Sequence, residues 1–114
     1  MGTQRAEPDQ AEIVVTTDGF AKRWHGRELF RVHWPSVREI RAYKRDLLTR
    51  DLICLAFRDT DADEYFEVHE EMVGFDLLRA RLAEVFPTVP AGWFGDVARP
   101  AFATNLTVLF RRES

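Results

Sequence analysis

The sequence predicts an α+β domain: a strongly curved antiparallel sheet or partly open barrel of about seven strands, packed against one helix at residues 75–85. Three observations carry this expectation. Short apolar or β-branched runs recur at hairpin spacing, turn dipeptides separate them, and one late stretch alone has clear helical periodicity.

The chain of 114 residues fits one domain, with residues 1–10 expected as a disordered tail and 11–114 as a single globular unit. A composition 46% hydrophobic and 12% aromatic excludes wholesale disorder. Cys54 is the one cysteine, so no intrachain disulfide can form and no oxidising compartment is required. No apolar run approaches the roughly 18 residues of a membrane helix, and Met1 to Asp9 lacks the apolar core of a secretory signal. The expectation is a cytoplasmic protein, monomer or homodimer, with no membrane partner.

Ile13-Val14-Val15-Thr16-Thr17 is β-branched throughout and reads as the first strand. Asp18-Gly19 is a hairpin turn, because Gly accepts positive φ without a steric penalty. Phe20 to Trp24 returns, and His25-Gly26 turns again. Leu29 to Trp34 alternates, with Phe30, Val32 and Trp34 toward the core and Leu29, Arg31 and His33 outward. Pro35 interrupts pairing. Val37 to Arg45 carries both helical spacing (Val37, Ile40, Tyr43) and strand alternation; the strand is favoured, after a bend at Pro35. Leu52 to Phe57 is continuously apolar, as suits a strand covered on both faces.

Asp59 to Glu64 is an acidic loop, and Tyr65 to Glu70 the partner strand, with Phe66 and Val68 inward and Tyr65, Glu67, His69 and Glu71 outward. Phe75, Leu78, Leu82 and Val85 form the stripe of the one convincing helix, with Asp76 complementing its N-terminal dipole and Pro87 stopping it. Residues 87–105, rich in Pro, Gly and aromatics, read as a long irregular connection before a last strand, Leu106 to Phe110.

The formal net charge of −3 hides an uneven distribution. Residues 20–58 hold ten bases and four acids, a balance of +6, and residues 59–76 hold eight acids and no base, a balance of −8. Such asymmetry suits a surface that steers partners. The alternative is that the two blocks are neighbouring strands whose charges meet as cross-strand pairs.

Chemistry-bearing motifs are few. Glu67-x-His69-x-Glu71 on one strand face would offer Zn²⁺ or Fe²⁺ two carboxylates and an imidazole, but a solvated acidic strand produces the same pattern, so no metal site and no cofactor is assigned. Cys54 sits between Ile53 and Leu55, the setting of an inert buried thiol rather than a nucleophile serving with His69. Neither serine, Ser36 or Ser114, has the setting of a nucleophile elbow. The basic segment 22–58, interleaved with Trp24, Phe30, Trp34 and Tyr43, has the composition of a nucleic-acid surface. The expected inward alternation of its aromatics and the overall acidity oppose that use.

Val32-His33-Trp34-Pro35-Ser36-Val37-Arg38-Glu39-Ile40 resembles the strand, Trp, bend, Ile pattern of small bacterial pleckstrin-homology-like domains. Tyr43-Lys44-Arg45-Asp46-Leu47, Asp51-Leu52-Ile53-Cys54-Leu55, Glu67-Val68-His69-Glu70-Glu71-Met72 and Pro100-Ala101-Phe102-Ala103-Thr104-Asn105 resemble a family of small bacterial single-domain proteins. The resemblance implies a pleckstrin-homology-like fold and supplies no catalytic residues. By analogy with immunity proteins, which neutralise toxins by direct binding, it points to a binding role.

The functional expectation is therefore a non-enzymatic protein-interaction module, with an immunity-type mode of action as its nearest analogy. Its expected contact surface is acidic (Asp61, Asp63, Glu64, Glu67, Glu70, Glu71), with Trp93 and Phe94 as an apolar anchor. Two alternatives stand beside it: a metal- or small-ligand-binding protein or enzyme using Glu67, His69 and Glu71, and nucleic-acid binding through residues 22–58. The alternative for Trp93 and Phe94 is packing over the end of the helix.

Overall fold

A computed structural model of the chain describes residues 11–59, 64–99 and 104–112. Among these residues, seven strands form two antiparallel sheets. The first contains β1 (Glu12–Val15), β2 (Gly19–Trp24) and β3 (Arg27–His33) in sequence order. The second contains β4 (Val37–Asp46), β5 (Asp51–Asp59), β6 (Tyr65–His69) and β7 (Thr107–Arg111), in the order β6-β5-β4-β7. Two helices, α1 (Phe75–Val85) and α2 (Trp93–Ala98), complete the described elements.

The strands divide between two sheets that do not close into a barrel, in place of the one curved sheet or partly open barrel expected above. The break lies at Trp34–Ser36, a 3₁₀ turn between β3 and β4. Pro35 has no N–H to give a ladder, and it sits in the first turn of that 3₁₀ segment, where none is needed. Trp34 is thus a turn residue rather than the end of a strand, although its ring is buried as expected. The chain leaves the three-stranded sheet here and re-enters as the long central strand β4.

The core fills the space between the sheets. Phe20 and Val32 from the first sheet meet Ile40, Leu55, Phe57 and Val68 from the inner face of the second, with the Phe20 and Phe57 rings 4.8 Å apart. Lys22 ties the sheets together at one side: its Nζ donates to Glu67 O at 3.0 Å, occupying a carbonyl on the edge strand β6.

Helix α1 has the expected bounds, and Phe75, Leu78 and Leu82 are its buried stripe. Its N-cap is Gly74 at φ +96°, a left-handed residue with no capping side chain. A Cβ at Gly74 would lie 2.1 Å from Ile13 O, so glycine is required by both conformation and space.

Residues 87–105 are not wholly irregular. Trp93–Ala98 forms α2, which the sequence hides because six residues give too few turns for periodicity and Gly95 lies inside them. Its last carbonyls are held from elsewhere. Asn105 Nδ2 donates to Asp96 O at 2.8 Å and Arg99 O at 2.6 Å, and Lys44 Nζ donates to Ala98 O at 2.9 Å while standing 3.2 Å from Asp51 Oδ2. A cation at a helix C-terminus also complements the dipole. Among the described residues, no helix is long and apolar enough to cross a membrane. The expected tail 1–10, together with Asp61, Asp63 and the Pro100-Ala101-Phe102 segment, lies outside the described residues.

Candidate functional site

Strand alternation gives the four-stranded sheet a second face, turned away from the core. Register assigns Glu39, Arg41, Tyr43 and Arg45 of β4 to that face. Their partners Arg58, Ala56, Cys54 and Leu52 of β5 share it, and so do Tyr65, Glu67 and His69 of β6. Arg111 of β7 joins them as the register partner of Glu39. Leu52, Cys54 and Ala56 are buried beneath the longer side chains, so β5 is covered on both faces, as its unbroken apolar run foretold.

The centre of this face is a buried carboxylate. Glu39 is 3% exposed. It accepts a hydrogen bond from Arg41 Nε, lies 3.4 Å from Arg111 Nη2 and stands 4.0 Å from Arg58 Nη1. Burial is the largest single influence on this carboxyl and opposes its ionisation, yet hydrogen bonds and charge from Arg41 and Arg111 bring its pKa below the ordinary value. Arg41 is correspondingly held as a cation, and its guanidinium lies over the Tyr65 ring at 4.7 Å. A depression of about 250 Å³ opens beside it, lined by Arg41, Tyr43, Ala56, Tyr65 and Leu106.

Three guanidiniums thus converge on one carboxylate, and each retains N–H donors beyond those Glu39 accepts. Arg45 adds a fourth cation and Glu67 a second anion, 3.4 Å apart. The face carries an excess of positive charge, although the protein as a whole is acidic.

Three acids of the acidic block are engaged from within. Glu67 accepts from Tyr43 Oη as well as pairing with Arg45. Glu70 Oε1 accepts from Ile53 N at 2.8 Å. Glu71 is bidentate with Arg50, at 2.7 and 2.8 Å, and its carboxyl titrates below the ordinary range because of that hydrogen bond. For these three carboxylates the charge blocks meet within the sheet and its following turn. Glu64 is exposed.

The Glu67-His69-Glu71 triplet does not converge. Strand β6 ends at His69, so Glu71 leaves the strand face and turns to Arg50. His69 lies on that outer face but is covered rather than solvated, 4% exposed, and its Nδ1 accepts from Glu71 N at 3.2 Å. Among the described residues, no group of three His, Cys, Asp or Glu is placed to hold a metal. Cys54 is opposite His69 in register, but burial, reinforced by Glu67, pushes its thiol up to about 12, away from thiolate chemistry at neutral pH.

The aromatic residues considered as an anchor pack inward. Trp93 is buried, Phe94 is half-buried against Phe75, and the Arg79 guanidinium covers the Phe94 ring at 3.8 Å. In the basic segment, Trp34 is buried and Phe30 packs on Phe66 at 4.9 Å, so neither offers a free stacking face.

Glu39 was not singled out by sequence reasoning. Its signal is the alternation Glu39-Arg41-Tyr43-Arg45: a lone acid among bases on one face of a strand whose other face is apolar. No family model, curated protein or solved structure matches the chain.

Proposed function

We propose that the protein is a non-enzymatic interaction module that docks an acidic segment of a protein partner on the outer face of its four-stranded sheet. The convergence of Arg41, Arg58 and Arg111 on buried Glu39 carries this reading. The carboxylate draws the guanidiniums together, which lowers the entropy lost when they engage carboxylates of a partner. Tyr65 beneath Arg41 and exposed Leu106 add apolar contact at the edge of the same depression.

Within the acidic block, Glu67, Glu70 and Glu71 are poorer contact groups, because they already serve Tyr43, Arg45, Ile53 and Arg50. Burial of Cys54 and His69 favours a binding role over a catalytic one. Nucleic acid would meet the same arginines, but the two tyrosines of the face are engaged by Glu67 and Arg41 rather than free for stacking.

Fluorescence anisotropy with three labelled probes tests the reading: a short peptide of alternating glutamate and alanine, its lysine counterpart, and a single-stranded oligonucleotide. The acidic peptide should bind, more weakly as salt rises, and the lysine peptide should not. Tighter binding of the oligonucleotide than of the acidic peptide would replace this reading with the nucleic-acid one. Equal binding of both peptides would remove it.

A further inference from the structure

Away from the arginine face, an aromatic depression of about 360 Å³ opens where the 3₁₀ turn, the end of α1 and β7 meet. Trp34, Pro35, Phe86, Pro87 and Phe110 form its walls, and Arg112 stands at its rim. The three rings make a continuous row, with Trp34 and Phe86 centroids 5.9 Å apart and Phe86 and Phe110 4.6 Å apart.

One charged group interrupts this apolar lining. Arg112 is fixed by an Nε bond to Val37 O at 3.0 Å, and its guanidinium lies 5.4 Å from the Phe110 ring centre. The geometry holds the cation at the mouth while its other N–H groups retain donor capacity.

We infer that this depression is a binding site for a small apolar carboxylic acid. Its hydrocarbon or aromatic part would lie against the Phe86 and Phe110 rings, and its carboxylate would meet the Arg112 guanidinium. The volume lies at the low end of the range for small-molecule sites, about 300–1,000 Å³, which favours a free acid over a longer peptide. Charge complementarity sets the sign, since among the described residues of the lining Arg112 alone is charged.

Calorimetric titration of the whole chain with phenylpropanoate and with its uncharged isostere phenylpropanol tests the inference, supported by the indole N–H resonance of Trp34. The acid should bind saturably and shift that resonance, and the alcohol should bind about tenfold more weakly. Arg112→Gln, at an exposed position, should weaken the acid by about tenfold and leave the alcohol unchanged. The site is disproved if acid and alcohol bind alike, if Arg112→Gln has no effect, or if no binding occurs at millimolar acid. Binding of a peptide ending in a phenylalanine carboxylate, without binding of the free acid, would overturn the small-molecule occupant.

Discussion

Glu39 and Arg111 are register partners across the pairing of β4 with β7, and their side chains meet on the face turned away from the core, Arg111 Nη2 lying 3.4 Å from Glu39 Oε2. The edge strand β7 is therefore joined to the central strand β4 by charge on one face. On the other, Phe110 packs against Phe86. Arg41 and Arg58 complete the cluster, and its members should respond differently to substitution because Glu39 alone is buried.

Replacing Glu39 with Gln removes the charge on which three guanidiniums converge. The expected loss is about 1–3 kcal/mol of unfolding free energy, measured by urea denaturation. Arg111→Gln should lose less than about 1 kcal/mol, because its side chain is largely exposed and Arg41 and Arg58 remain. Equal effects of the two substitutions would show that Glu39 does not organise the cluster.

The same carboxylate gives stability a pH dependence of definite sign. Its folded pKa is depressed, so its contribution is complete above the unfolded value, about 4.3, and is lost as pH falls through the lower folded value. Glu71, paired with Arg50, acts in the same direction but is half-exposed and adds less. Denaturation midpoints measured from neutral to acidic pH should fall in the wild type below that unfolded value, and the fall should be shallower in Glu39→Gln.

The Cys54 thiol, raised to about 12 mainly by burial, should be unreactive in the native protein. A disulfide reagent at mildly alkaline pH should modify it only as fast as the protein opens, and quickly in denaturant. Rapid modification of the native protein would mean that the Tyr43 and Glu67 cover over Cys54 is readily displaced.

Two glycines separate conformational strain from crowding. Gly26, at φ +77°, would have nothing within 4 Å of an added Cβ, so Gly26→Ala should cost only the left-handed strain, about 1–2 kcal/mol. Gly74, at φ +96°, would in addition press its Cβ against Ile13 O, whose strand is anchored by the Ile13 N to Val73 O bond of 2.7 Å. Gly74→Ala should therefore lower the melting temperature clearly more than Gly26→Ala.

Much of the fold was legible because local patterns and burial agreed. Ile40 and Ala42 alternate with Arg41 and Tyr43, and the strand they predict is β4. The Phe75, Leu78 and Leu82 stripe is the buried face of α1. What escaped depends on contacts distant in sequence. Helix α2 relies on Asn105 and Lys44 to satisfy its last carbonyls, and no window over Trp93–Ala98 contains either residue. Two sheets in place of one curved sheet follow from where Pro35 directs the chain, which pattern does not specify. At the candidate site, the acids of 64–71 were visible as charge, but their engagement by Tyr43, Arg45 and Arg50 emerges only once β4 and β6 flank β5.

Docking of an acidic segment on the arginine face is tested by the affinity of the glutamate–alanine peptide for the wild type and for Arg58→Gln/Arg111→Gln. Arg41 is left in place so that buried Glu39 keeps its closest partner. The double variant should remain folded, bind the peptide at least about tenfold more weakly and lose much of the salt dependence. Unchanged affinity and unchanged salt dependence in a folded double variant would rule out docking on this face.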